Sequence, residues 1–327
     1  MIMIRKVSID KLGFLNNNHY DFFIAFCGFE KRCLSVVQNV SSEMIDKGIV
    51  YINSEVFSES RENLQIFKDS LGSKIVIKEI DIFNPLVVAD SFIDEIINVC
   101  NNIEKPKILV DITSFTHEAL LIFMAICNQF LDDAQIDYAY SNASVYASEN
   151  TDCEEQWLSR GIKEVRSVLG YAGDIKPLNK TVMIMMVGYE CERAWQVIDS
   201  VSPEELIITY NDASGSTDQT NGDASLIHAN LLKDLAAYYQ NVKQYMIPSN
   251  NPFKTEKELE KVISEIEPDV NIIIAPMNNK LATFGAGLIA LKKPEIQLCY
   301  APATYYNTSS YSNSGDSCYF FSVDSNQ

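Results

Sequence analysis

The chain has 327 residues, of which 47% are hydrophobic, and a formal net charge of −18. This length suffices for two ordinary domains with separate cores, and the apolar content excludes a disordered chain. The acidic charge repels a nucleic-acid backbone at long range, so non-specific DNA binding is not expected. A local basic pocket for a small anionic ligand is compatible with this net charge.

The cysteines and histidines argue against a metal site. None of the eight cysteines forms a C-x-x-C pair, and most lie in apolar stretches, which is typical of reduced, structural thiols. The three histidines are not at ligand spacing. The apolar run at 119–127 is about half the length that spans a bilayer, and the N-terminus is too short in its apolar part for a signal peptide. We expect a soluble cytoplasmic protein without metal, cofactor or membrane association.

The first half of the chain predicts alternating strands and helices. An apolar strand at 22–27 is followed by the turn GFEKR and by a helix at 33–46, whose apolar residues recur at helical spacing. Strands at 49–53 and 74–82 follow, with a helical stretch at 59–70 between them. The alternation predicts a parallel sheet with helices on both faces.

The remaining elements of this half complete one unit. Asn-Pro at 84–85 precedes a helix at 86–102, and a fourth strand at 108–110 leads into the polar turn DITSFTHE and a strongly apolar helix. A fifth strand is predicted at 136–140.

The same order recurs about 160 residues later. The two turn glycines, Gly28 and Gly188, are 188 − 28 = 160 positions apart, and the aromatic, the Glu and a nearby Arg follow each of them. Strands are predicted in the second copy at 182–187, 206–210, 243–247, 271–275 and 296–300, and helices at 194–203, 224–241 and 254–266. A repeat this long indicates a duplicated domain rather than a solenoid, whose periods are about 20–50 residues.

The predicted fold is therefore α/β, with two tandem doubly wound, Rossmann-like domains related by internal duplication. We place the first domain at 1–146, a linker at 147–180, and the second domain at 181–327 with its polar C-terminal tail. The linker is predicted to carry a short helix ended by Gly170 or Gly173. Residues 318–324 have the pattern of an additional edge strand.

Ligands of open α/β sheets bind outside the carboxyl ends of the strands, where the strand order switches. The first turn of each copy falls there, and its candidate ligand-binding residues are Gly28, Phe29, Glu30 and Arg32, and Gly188, Tyr189, Glu190 and Arg193. The helix N-terminus would hold an anion, and the arginine would add a bidentate grip. In a structural alternative, the glutamates favour the helix start and pair with the arginines. No G-x-G-x-x-G is present, so NAD binding is not supported.

The second turn of each copy is also polar. Its candidate ligand-binding residues are Thr113, Ser114 and Thr116 in the first copy and Asn278, Asn279 and Lys280 in the second. Hydroxyls, amides and free N–H groups at a helix start suit a phosphate or a ribose. The structural alternative is helix capping by Thr113 or Ser114 with support from Glu118. His117 lies in the same turn, where a lone histidine is more often structural.

The run Asp111-x-Thr113-Ser114 at the end of the fourth strand resembles the CRISPR-associated Rossmann fold (CARF) sensor domains. The family pattern continues with a glycine and a polar or basic residue; here Phe115 departs from it, and Lys280 is the one basic member in the second copy. The resemblance implies a sensor for a small nucleotide signal, such as a cyclic oligonucleotide, bound between two such domains in an antiviral defence system. In the family two chains usually supply the two domains.

Three functions stay open at this point. The first is a binding module that senses a small anionic ligand, with a nucleotide as the preferred candidate. The second is a metal-independent nucleotide hydrolase that uses Glu30, Asp111, His117 or Glu118 as acid or base, with Arg32 stabilising charge. The third is an acidic scaffold subunit that docks on a protein partner in a larger assembly. Because the second turns diverge, we expect an asymmetric pair of units with one principal site. For the hydrolase, the first copy would be the active half, since its second turn carries more titratable groups.

Overall fold

The structure, a computed structural model, describes residues 4–100, 103–131, 133–147, 157–217, 219–237, 239 and 241–324. The chain forms two compact units, residues 1–146 with 308–327 and residues 147–307. Each is built on a mainly parallel sheet with alternating helices, so the predicted fold class, two Rossmann-like domains, is confirmed.

The first unit contains a seven-stranded sheet in the order β1-β15-β6-β5-β2-β3-β4. Its strands are β1 (Arg5–Ser8), β2 (Tyr20–Cys27), β3 (Ile45–Asn53), β4 (Ile75–Ile80), β5 (Lys107–Asp111), β6 (Gln135–Tyr146) and β15 (Ser312–Asp324). Its α-helices are α1 (Arg61–Leu71), α2 (Pro85–Cys100) and α3 (His117–Phe130). Strands β2 to β6 run parallel, whereas β15 is antiparallel to both β6 and β1.

The second unit contains a six-stranded sheet in the order β11-β10-β9-β12-β13-β8 and the separate pair β14-β7. Its strands are β7 (Ser159–Ile162), β8 (Arg166–Ala172), β9 (Thr181–Val187), β10 (Glu205–Tyr210), β11 (Val242–Met246), β12 (Asn271–Met277), β13 (Gln297–Tyr300) and β14 (Ala303–Tyr306). Its helices are α4 (Cys191–Val201), α5 (Gln219–Leu235), α6 (Pro252–Ser264) and α7 (Lys280–Lys292). The parallel strands follow the same order as in the first unit, and β8 is antiparallel to β13.

Burial explains why these segments became strands. The central strands of both sheets are continuous apolar runs, and β9 is buried from Val182 to Val187. Such runs are typical of strands covered on both faces. The second unit's core contains Met183, Met185 and Val187 on one face of β9, packed with Ala194, Val197 and Ile198 of α4.

The structure differs from the prediction at residues 33–46, where no α-helix forms. Short 3-10 turns cover Lys31–Leu34 and Ser42–Met44, and β3 begins at Ile45. The segment between them still buries Val36, Val37 and Val40. β-branched Val together with Ser and Asn disfavours helix, since the short polar side chains bond the backbone instead. Asn39, for example, donates to the carbonyl of Ser35 at 2.8 Å.

The linker and the tail also differ from the predicted boundaries. Instead of a helix, residues 157–173 contain β7 and β8, and Gly161, Gly170 and Gly173 have positive φ angles within or just after these strands. Residues 148–156 of the predicted linker lie outside the described residues. The tail from Thr308 belongs to the first unit, because β15 pairs with β6 along most of its length. The strand at 318–324 therefore exists, but it lies between β6 and β1 rather than at the edge of the second domain.

Within the described ranges, no helix is both long and apolar enough to cross a membrane.

Candidate functional site

The candidate site of each unit lies where two central strands end. In the first unit β2 and β5 are parallel neighbours, with Ala25 opposite Asp111. The chain runs from β2 outward to β3 and β4 and then returns to the other side of β2, so the strand order switches between β2 and β5. The second unit repeats this arrangement with β9 and β12. These positions are the usual ligand sites of open α/β sheets.

The two predicted turns of each unit lie side by side. A Cβ atom placed on Gly28 would lie 3.3 Å from both Cβ and Oγ of Ser114. A Cβ placed on Gly188 would lie 2.7 Å from the carbonyl oxygen of Met277 and 3.0 Å from Cα of Asn278. Glycine is needed at 188 because backbone atoms occupy the space of a side chain, whereas at 28 the nearest atoms belong to the Ser114 side chain and lie farther away, at 3.3 Å.

A third element, which was not among the predicted site residues, closes the other side of each first turn. In the first unit Asn63 of α1 donates through Nδ2 to the carbonyl of Gly28 at 2.8 Å and to that of Glu30 at 3.4 Å. In the second unit Nδ1 of His228 on α5 lies 2.9 Å from the carbonyl oxygen of Gly188. Each turn glycine is therefore held between a helix and the second turn.

A repeat signal for this third element exists in the sequence. Ser60 precedes Asn63 and Ser225 precedes His228 by three positions, and both pairs are related by the same offset, 225 − 60 = 165 and 228 − 63 = 165. Ser60 contacts the end of β2, and Ser225 contacts the end of β9. Ser225 donates to the carbonyl of Val187 at 2.9 Å, and the carbonyl of Ser60 accepts from the Cys27 thiol at 3.7 Å.

The arginine of the first unit is engaged by its own glutamate. Arg32 is 3% exposed, and its Nε and Nη2 donate to the two carboxylate oxygens of Glu30 at 2.8 and 3.1 Å. Its Nη1 donates to the carbonyl of Ser141 at 3.1 Å. Ser312 of β15 adds a hydroxyl contact to Glu30. A bidentate pair of this kind is strong and directional.

The second unit builds the same network from Glu190 and Arg193. Arg193 donates through Nη1 to Glu190 at 2.5 Å and to Ser159 at 2.8 Å, and through Nη2 to the carbonyl of Ala301 at 2.6 Å. Ser159 also contacts the carboxylate of Glu190. The geometry favours the structural alternative for both arginines, because each guanidinium ties the first turn to the last parallel strand of its unit: Ser141 lies in β6, and Ala301 directly follows β13.

The second turn of the first unit centres on a buried carboxyl group. Asp111 is 2% exposed, and its Oδ1 accepts from the backbone N of Thr113 at 3.0 Å and from its hydroxyl at 2.5 Å. Thr113 in turn accepts from the backbone N of Ser141 at 3.0 Å. Burial raises the pKa of Asp111 to about 7, against the opposing effect of the Thr113 hydrogen bonds and the Arg32 charge.

Three polar atoms near this carboxyl have no hydrogen-bond partner within the described part of the chain. They are Oδ2 of Asp111, Oγ of Ser114 and Oγ of Ser141, all of them shielded from solvent. Buried polar atoms of this kind are usually satisfied by an internal water. The second unit has Ala275 at the position of Asp111, so it carries no carboxyl group at this strand position.

The remaining candidates of this turn begin α3. Thr116 is the N-cap residue, and its hydroxyl accepts from the backbone N of Ala119 at 3.1 Å. Capping is thus carried by Thr116 rather than by Thr113 or Ser114. His117 is half-buried, and Glu118 is 2% exposed in the first helical turn.

The second turn of the second unit is an amide network. Asn278 donates through Nδ2 to the carbonyl of Val187 and to Oδ1 of Asn211, the latter at 2.6 Å, and it accepts from the backbone N of Asn279 at 2.8 Å. Asn279 caps α7 by accepting from Ala282 at 3.0 Å. Lys280, half-buried, is the first residue of α7 and places a positive charge beside this turn.

The aromatic residues of the first turns, Phe29 and Tyr189, are both half-buried. The ring of Phe29 meets Tyr311 edge to face, with ring centroids 5.6 Å apart. The C-terminal segment that returns to the first unit therefore contributes Tyr311 and Ser312 to the surroundings of its first turn.

Among the described residues, no cluster of three or more His, Cys, Asp or Glu side chains is arranged to hold a metal ion.

Comparison with known proteins yields a structural match without a sequence match. No protein-family model matches the chain, and no curated protein sequence does. The chain is similar to a type III CRISPR defence DNA nuclease activated by cyclic oligoadenylate, with a TM-score of 0.52 and 7% identity. The match covers 83% of this chain and 64% of the nuclease, so the chain spans less than two thirds of that protein's length.

Two further structures match less well. The cytoplasmic domain of a prokaryotic cation chloride cotransporter gives a TM-score of 0.26 at 10% identity, covering 89% of this chain and 99% of that one. The oxidoreductase YciK of E. coli gives 0.23 at 6% identity, covering 83% and 82%. Scores this low carry no argument, and the similarity to the nuclease supports the Rossmann-like fold alone.

Proposed function

We propose that this protein is a CARF-like sensor of a small anionic nucleotide, with a cyclic oligonucleotide as the preferred ligand, in a defence system. The observation that carries the proposal is the convergence, in both units, of two polar turns at the point where the strand order switches. The choice of ligand class follows the structural neighbour, which is activated by cyclic oligoadenylate. The repeated site also agrees with the internal duplication predicted from the sequence.

The elements around each site favour an anion. The N-termini of α3 and α7 follow the second turns, where backbone N–H groups and the helix dipole attract negative charge. Lys280 adds a full positive charge in the second unit. Asn63 on α1 and His228 on α5 bind the carbonyl oxygens of Gly28 and Gly188, so these carbonyls point toward the helices. The C=O and N–H groups of a trans peptide point in opposite directions. The N–H groups of the same peptides therefore point away from α1 and α5.

Calorimetric titration of the full chain tests the proposal directly. The probes are cyclic oligoadenylates of different ring size, with linear oligoadenylate, ATP and a cyclic dinucleotide as comparisons. A ligand present at 100 times its Kd stabilises the folded state by about 2.7 kcal/mol, which corresponds to a rise in Tm of roughly 5–10 °C for a unit of this size. Absence of heat and of any Tm shift with every probe would contradict the proposal.

Lys280 provides the variant that locates the ligand. Lys280→Ala is expected to weaken binding by roughly 10- to 100-fold, since hydrogen bonds that involve a charged group contribute about 1.5–3 kcal/mol. Lys292→Ala is the matched control, because Lys292 ends the same helix, has an exposed side chain and pairs with Glu256 at 2.6 Å. Equal affinities of wild type and Lys280→Ala would place the ligand elsewhere.

A nucleotide hydrolase is the second candidate, and the carboxyl of Asp111 favours it. A group with a pKa of about 7 can give and take a proton at neutral pH. The assay is chromatography of cyclic oligoadenylate and ATP after incubation in the presence of EDTA. Asp111→Asn is expected to abolish turnover with an unchanged circular dichroism spectrum. Intact substrate after incubation with the wild-type chain excludes this function for these compounds.

A further inference from the structure

His228 has a role in the second unit that its counterpart in the first unit cannot have. Its Nδ1 lies 2.9 Å from the carbonyl oxygen of Gly188, and its own backbone carbonyl accepts from the Cys191 thiol at 3.9 Å. His228 thus contacts both ends of the turn from Gly188 to Cys191. It is half-buried on α5, so its ring remains within reach of solvent.

The carbonyl contact fixes the tautomer of the neutral imidazole. A carbonyl oxygen can only accept, so Nδ1 must carry the proton and donate it to Gly188. Nε2 then carries the lone pair and acts as a hydrogen-bond acceptor. Nε2 has no hydrogen-bond partner among the described residues. An acceptor is therefore presented beside the first turn of the second unit.

Asn63 fills the equivalent place in the first unit without this acceptor nitrogen. Its Nδ2 spans the carbonyls of Gly28 and Glu30, and the residue is 5% exposed. Both residues share the task of holding the glycine carbonyl. What differs is the imidazole, which extends beyond that bond and is more open to solvent than the buried amide of Asn63.

We propose that His228 contacts the ligand of the second unit and that its Nε2 accepts a hydrogen bond from a hydroxyl or amino group of a nucleoside. This assignment rests on the proposed function. A phosphodiester offers no proton to accept, so the group that Nε2 recognises is on the sugar or the base, while the helix N-terminus and Lys280 attract the phosphate. His228 is thereby a specificity-determining residue of the second unit.

The variant that tests the assignment is His228→Asn, which copies the first unit. Its amide can still donate to the carbonyl of Gly188, as Asn63 does to Gly28, but the imidazole acceptor is gone. His19→Asn is the control for the same change of side chain, because His19 is in the first unit and pairs with Asp46 at the surface. Thermal unfolding of each variant shows whether the second unit remains folded.

The probes are a cyclic oligoadenylate, its 2′-deoxy analogue and its inosine analogue, which lacks the exocyclic amine. Wild type and His19→Asn are expected to lose roughly 2- to 12-fold in affinity with the analogue that lacks the recognised donor, the value of one hydrogen bond. His228→Asn should bind the parent cyclic oligoadenylate roughly 2- to 12-fold more weakly than wild type does. It should bind the parent compound and the analogue that lacks the recognised donor with equal affinity. The ratio of affinities within one variant is independent of how much protein is folded.

The outcomes separate the two proposals. If His228→Asn binds the parent compound as tightly as wild type, or discriminates between the probes as wild type does, the assignment of His228 is wrong while the sensor proposal stands. If the wild-type chain binds none of the three probes, the sensor proposal fails for this ligand class and the assignment fails with it.

Discussion

Removal of Arg193 is the sharpest test of the network that holds the first turn of the second unit. Arg193→Ala deletes hydrogen bonds to Glu190, Ser159 and the carbonyl of Ala301, at 2.5, 2.8 and 2.6 Å. The side chains of Arg193 and Glu190 are only 9% and 17% exposed, so water does not readily replace the lost partner.

The expected loss of stability follows from this burial. Removing one member of a buried ion pair costs about 3–5 kcal/mol. Because Glu190 keeps the Ser159 hydroxyl, we expect the lower end, about 3 kcal/mol, and a fall in Tm of roughly 6–12 °C for a unit of this size. Both tryptophans, Trp157 and Trp195, belong to the second unit, so tryptophan fluorescence during urea unfolding reports on this unit.

The control is an ion pair of the same unit that is open to water. Lys261 and Glu258 are 2.6 Å apart, with side chains 58% and 36% exposed. Lys261→Ala should change stability by about 1 kcal/mol or less. A loss below 1 kcal/mol in Arg193→Ala, combined with weaker nucleotide binding, would refute the structural role and restore the arginine as an anion contact.

Two further changes address the other turn residues. Asp111 has a pKa raised to about 7, above its value in the unfolded chain, so its contribution to stability is fully present near pH 4 and is lost as the pH rises through 7. Asp111→Asn should flatten this dependence and stabilise the first unit at pH 8, as measured by far-UV circular dichroism in urea between pH 5 and 8; parallel curves for the two proteins would contradict the raised pKa. Gly188→Ala should lower Tm more than Gly28→Ala, because a Cβ at 188 meets the backbone carbonyl of Met277 at 2.7 Å, whereas at 28 it meets the Ser114 side chain at 3.3 Å. Equal shifts in Tm for the two glycine variants would show that the close approach at 188 relaxes without cost.

Most of the secondary structure could be predicted because it depends on local pattern. Continuous apolar runs predicted the central strands, and the two Asn-Pro pairs marked the starts of α2 and α6 at Pro85 and Pro252. The exception at 33–46 has a local cause as well. The valines there are buried, but β-branched and short polar residues favour turns over an α-helix.

The candidate site was only partly predictable from the sequence. The two turns were found because each directly follows a strand in a repeated pattern. Asn63 and His228 were missed because they contact the turns from 35 and 40 residues away along the chain. The available signal was the offset of 165 that separates Ser60 from Ser225 and Asn63 from His228. From the sequence, the arginine of each turn could either bind an anionic ligand or pair with the glutamate of its own turn. The interatomic distances show that each guanidinium pairs with that glutamate.

Hydrophobic periodicity and glycine position are properties of a short window of residues, so local pattern was enough to predict two similar α/β units and the ends of their strands. The tertiary structure decided which strands are neighbours. The tail Ser312–Asp324 pairs with β6, although more than 160 residues separate them, because the open side of that strand needs hydrogen-bond partners and an apolar strand can supply them from anywhere in the chain. The same long-range pairing brings Tyr311 and Ser312 next to the first turn of the first unit. No local sequence pattern predicts these contacts.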